Sequence, residues 1–168
     1  TAFWHIHNEP MHIMAAGLAP LRQMPTIFAA TLLAGGGLVA AWLLQGVVMV
    51  ISVGAVIWVW SQDVDMAIRV AVLTIGSLLF TPFSLEYELV RLAIPLAWIG
   101  WKEYQNDRMY WKLFLILGWI TPLISRFTVE KQLPLLTPFI LLLLLFITLK
   151  AIYLPKLQMA SLGLDSRC

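Results

Sequence analysis

Between Leu38 and Trp60 the chain carries no charged side chain. A helix of that length reaches about 34 Å at 1.5 Å per residue, enough to cross a hydrocarbon core about 30 Å thick. Hydrocarbon supplies no partner for a backbone N–H or C=O, so only helices and closed barrels can span it. The chain shows no two-residue alternation over strand-length segments, and a barrel would need at least about eight strands. The long apolar run therefore points to helices in lipid. Composition extends that reading to the whole chain. Apolar residues are 61% of the 168 and charged residues only 12%, roughly half the share usual in a water-soluble domain.

Four further apolar runs follow, at about 66–82, 85–101, 109–125 and 134–153. The expected fold is an all-α integral membrane protein, a single domain of about five transmembrane helices plus an amino-terminal interfacial helix. Residues 1–24 are too often interrupted by polar groups and proline to span, so they read as extramembrane or interfacial. A short helix at 25–34 starts at Met24-Pro25-Thr26, where proline and threonine suit a first turn, and breaks at Gly35-Gly36-Gly37. That triplet lacks the Lys-Ser/Thr of a phosphate loop and reads as a hinge or a close helix contact. Arg69 can snorkel from its span to the headgroups, Pro82 stops the second span, and Pro122 lies near the end of the fourth. Gly46, Ser52 and Gly54 are either a packing face or ordinary small residues of a membrane helix.

With five spans, seven basic residues (Arg69, Lys102, Arg108, Lys112, Lys150, Lys156, Arg167) fall on one face and four (Arg22, Arg91, Arg126, Lys131) on the other. The richer face is cytoplasmic by the positive-inside rule. The amino end and the Thr81–Glu88 turn are then outside, and the tail at 154–168 is cytoplasmic, in a multi-pass protein of the inner (plasma) membrane. Trp58, Trp60, Trp98, Trp101 and Trp111 fall at the cytoplasmic boundary, as an interfacial aromatic belt would.

Several classes are excluded or set aside. A net charge of +2 with dispersed basic residues argues against a nucleic-acid partner. The single cysteine, Cys168, permits no internal disulfide and lacks the tail of a prenylation box. No repeat of the spans suggests a transporter. His5, His7 and His12 could ligate zinc, copper or a pigment, but no cysteine or acidic cluster joins them, and a polar interfacial segment is the preferred reading. No metal and no cofactor is expected.

The stretch that could carry chemistry is Thr81-Pro82-Phe83-Ser84-Leu85-Glu86-Tyr87-Glu88-Leu89-Val90-Arg91. On an α-helix Arg91 could sit over both Glu88 and Tyr87. An ionisable group at membrane depth is a functional candidate. The charges either form a snorkelling ion pair or face inward, with a guanidinium for phosphate and carboxylates for sugar hydroxyls.

These residues, extended through Leu92, Pro95, Ala97 and Trp98, resemble the late transmembrane motif of glycosyltransferase family 87. A second likeness covers Met24-Pro25-Thr26-Ile27-Phe28-Ala29-Ala30, followed by Leu44-Gln45. Where this chain has Glu86 and Glu88 the family favours Asp, where it has Phe83 the family has Tyr, and where it has Arg91 the family has an apolar residue. The resemblance implies sugar transfer from a polyprenyl-phosphate-sugar carrier on the non-cytoplasmic side, with Glu86, Tyr87, Glu88, Arg91 and Arg126 as substrate-binding residues. The family's catalytic acid lies in an early external loop, to which no residue here is matched. The chain is thus expected to be the carboxy-terminal membrane portion, or a truncated relative, of such an enzyme, with no catalytic residue of its own. The chain starts at Thr1 without Met or a signal pattern, so either its start was processed or it belongs to a longer protein. The alternative is a non-catalytic structural subunit of a larger respiratory or photosynthetic membrane complex, whose partners are the lipid bilayer and other membrane subunits.

Overall fold

The computed structural model describes residues 21–103, 109–131 and 135–161. The expectations for the interfacial segment, including His5, His7 and His12, concern residues outside the described ones. Arg108 and Arg167 are outside them as well. Among the described residues the chain is all-helical, with six α-helices and two 3-10 segments. The α-helices are α1 (Ile27–Leu33), α2 (Leu38–Trp60), α3 (Met66–Phe80), α4 (Ala93–Glu103), α5 (Met109–Glu130) and α6 (Thr137–Ser161). Short 3-10 segments cover Leu21–Gln23 and Glu86–Leu92.

Local chemistry explains where these elements start and stop. Thr26 is the N-cap of α1, its Oγ1 accepting from the Ala29 N–H at 3.2 Å. At the other end Gly35 has φ 83°, its N–H donates to Leu32 O at 3.1 Å, and the Gly36 N–H donates to Thr31 O at 2.9 Å. This pair of bonds is the Schellman arrangement. The glycine triplet is therefore a helix stop, where the sequence suggested a hinge or a close helix contact. Asp65 caps α3, accepting from Ala67 N–H at 2.9 Å. Helix α3 ends at Phe80 because Pro82 follows, and the residue before a proline is driven to extended backbone; Thr81 has ψ 116°.

Helix α3 is the hub, packing against α2, α4 and α6. Its buried side chains include Ala67, Ala71, Val72, Ile75 and Leu78. Gly76 lets α2 come close, since a Cβ there would lie 3.1 Å from Val56 and 3.7 Å from the Ser52 carbonyl. Gly118 does the same between α5 and α4, where a Cβ would run into the buried Leu96 side chain.

Two helical stretches, Leu38–Trp60 and Trp111–Glu130, are long and apolar enough to cross a membrane. Met66–Phe80 and Thr137–Lys150 are apolar but shorter. The expected 85–101 span is divided between the 3-10 segment and the 11-residue α4. The expected fourth span, placed at 109–125 with Pro122 inside it, continues past Ser125 to Glu130. Thr121 donates to Leu117 O at 2.6 Å within this stretch, the kind of hydroxyl bond found beside membrane-helix prolines. Helix α6 continues into the expected tail as far as Ser161.

Helix α2 is patterned inside out. Its buried row is Ala41, Gln45, Val48, Ser52, Ala55 and Val59, while Val39, Leu43, Val47, Val50 and Ile57 face outward. A helix that presents its largest aliphatic residues to the surroundings and its small and polar ones to the bundle reverses the soluble pattern. Of the expected aromatic belt, Trp60, Trp98 and Trp101 are exposed, but Trp111 is buried, with its ring 5.7 Å from Phe114.

Candidate functional site

The corner after α3 is anchored from three sides. Phe83 sits 5.8 Å from Phe28 and 6.0 Å from Trp42, so one aromatic cluster joins α1, α2 and the turn. Leu85 and Phe83 also pack on the small cluster of Met24, Ala29 and Leu135. Ser84 is buried and donates to Glu88 Oε2 at 3.2 Å.

Glu86–Leu92 is then wound as a 3-10 helix, longer than such segments usually run. Its geometry decides which way each side chain faces, because residues three apart eclipse. Glu86, Leu89 and Leu92 form one row, and the two leucines are buried. Tyr87 and Val90 form a second row, which is exposed. Glu88 and Arg91 form the third, with Glu88 Oε2 to Arg91 Nη1 at 3.6 Å. The α-helical expectation that Arg91 covers Tyr87 as well is thereby corrected. A spacing of four brings side chains together in an α-helix but not in a 3-10 turn, and Tyr87 stands 68% exposed.

Arg126 arrives from α5. Its Nη1 lies 4.0 Å from Glu86 Oε1 and its Nε 3.5 Å from Glu130 Oε1. Four of the five expected site residues, Glu86, Glu88, Arg91 and Arg126, thus form two ion pairs on neighbouring elements, and Tyr87 points away from them. The pair distances exceed those of charge-assisted hydrogen bonds, so these cations keep donors free for a ligand. Glu86 Oε2 is buried and unpartnered, an unfavourable arrangement for a carboxylate. Ser84 and Glu130 were missed in the sequence. Glu130 was recoverable from its i,i+4 spacing to Arg126, had the fourth helix been carried past Ser125.

Two grooves adjoin the corner. One, of about 350 Å³, lies between α2 and α3, is lined by Val53, Val56, Leu73 and Phe80 among others, and has Arg91 in its wall. The other, of about 510 Å³, runs along α5 from Ile120 to Glu130 and includes Arg126. Among the described residues no group of three His, Cys, Asp or Glu side chains could hold a metal ion. No protein-family model, no curated protein and no solved structure matches this chain.

Proposed function

We propose that this chain is a multi-pass membrane protein of the inner (plasma) membrane that binds a polyprenyl-phosphate-sugar carrier at the Glu86–Arg91 corner on the non-cytoplasmic side. On this reading it is the carboxy-terminal membrane portion, or a truncated relative, of a lipid-phosphosugar-dependent glycosyltransferase. The observation that carries it is the meeting of two guanidiniums and three carboxylates at one end of an apolar bundle, with Arg91 in the wall of an apolar groove. Arginine suits the carrier's phosphate and the carboxylates suit sugar hydroxyls. The outward aliphatic face of α2 supports lipid as the surrounding medium. The distribution of lysine and arginine supports the proposed sidedness. On this reading the third crossing is made by the Glu86–Leu92 segment at about 2 Å per residue and α4 at about 1.5 Å per residue, together some 30 Å.

The test is carrier binding with the full chain in lipid nanodiscs. Retained affinity for polyprenyl-phosphate-mannose after Arg91→Ala would remove the carrier role. A second reading, a non-catalytic subunit of a larger complex, is favoured by Gly46 and Gly54 on α2, where an added Cβ would meet nothing. Such open positions accept a neighbouring helix. Stoichiometric co-purification with a membrane complex from native membranes, and no carrier binding by the isolated chain, would favour it.

A further inference from the structure

The two arginines of the corner differ in what already engages them, and the two grooves differ in how they are built. Arg126 stands between two carboxylates, Glu86 and Glu130, so its charge is more than balanced locally. Arg91 faces one carboxylate, Glu88, whose Oε2 also accepts from Ser84. The groove beside Arg126 is lined by residues of α5 alone. The groove under Arg91 has walls from two helices, with Val53, Val56 and Ile57 on α2 and Leu73, Gly76 and Phe80 on α3. Leu73 and Phe80 both line it, seven residue steps apart on α3, so the groove runs about 10 Å along that helix.

An apolar slot with one cation in its wall fits an amphiphile with an anionic head and a hydrocarbon tail. Resting on the reading that the corner binds a lipid phosphate, we propose that Arg91 alone holds that phosphate and that the first part of the polyprenyl tail lies in the α2–α3 groove. Arg126 is a positioning residue, which holds Glu86 in place. A phosphate at Arg91 gains a charge-assisted bond, and Glu88 remains beside it for the sugar. The tail replaces lipid against Val53 and Leu73, which are exposed, and so costs little rearrangement.

The experiment uses the full chain in phosphatidylcholine nanodiscs with a photoreactive polyprenyl phosphate, reading label yield and labelled peptides. Label should fall on α2 and α3. Arg91→Gln should lower the yield about tenfold, the size of one lost charge-assisted bond, and Arg91→Lys should recover part of it. Val53→Trp and Leu73→Trp, which fill the groove from exposed positions, should lower it comparably, and Arg126→Gln, which acts only through Glu86, should lower it less than Arg91→Gln does. Label on α5, together with a loss in Arg126→Gln equal to that in Arg91→Gln, overturns the groove assignment while the carrier reading stands. Equal competition by phosphatidic acid supports the groove as a lipid-phosphate site and removes the carrier reading. No label on the wild-type chain overturns both.

Discussion

The side-chain amide of Gln45 donates to the carbonyl of Leu79 at 2.9 Å, and its oxygen accepts from the backbone N–H of Phe28 at 3.1 Å. Leu79 lies in the last turn of α3 and Phe28 in the first turn of α1, so both backbone groups are ones that a helix end leaves unpaired. One fully buried side chain on α2 therefore joins the ends of two other helices.

Gln45→Leu should keep the volume and orphan both backbone groups. The expected loss is about 2 to 3 kcal/mol of stability, smaller if the membrane-unfolded state finds other partners. Thermal unfolding in detergent, followed by helical circular dichroism, measures it. A shift no larger than that of a surface control such as Val50→Leu would show that the two bonds contribute nothing.

Gly118→Ala should be costly although alanine favours helix. The added methyl runs into Leu96, which is buried and has little room to turn. Overpacking of this kind costs about 1 to 3 kcal/mol. Gly118→Ala combined with Leu96→Ala should recover part of the loss, and a strictly additive double mutant would exclude the clash.

Glu86→Met should stabilise the protein while weakening carrier binding. Glu86 buries one carboxylate oxygen without a donor on the row it shares with Leu89 and Leu92. A well-packed apolar replacement of a poorly satisfied charge is often stabilising, here by about 1 kcal/mol. Glu86 would then be retained for binding at a cost in stability. A lowered midpoint in detergent would mean that the Arg126 pair outweighs the desolvation.

Sidedness is checked by thiol labelling. With Cys168 replaced by Ser, Tyr87→Cys should react with an impermeant maleimide in intact cells, because Tyr87 is exposed on the outer row of the corner. Ser61→Cys, in the turn at the opposite end of α2 and also exposed, should react only after permeabilisation. The reverse pattern would put the corner in the cytosol and end the proposed external site.

The helices and several of their ends are local events, and for that reason they were legible from residue order alone. A charge-free run fills Leu38–Trp60, Thr26 has the hydroxyl a helix start requires, and Pro82 cannot continue the helix before it. Tertiary structure decided what depends on neighbours distant in the chain. The 3-10 winding of Glu86–Leu92 coincides with the burial of Leu89 and Leu92 in the bundle core, and it turned Tyr87 away from Arg91. The continuation of α5 beyond Ser125 and its packing beside the corner bring Arg126 to Glu86, across a sequence separation that no short spacing rule reaches. The same holds for Gln45, whose place on an apolar helix is written in the sequence, but whose two partners exist only because α1 and α3 end beside it.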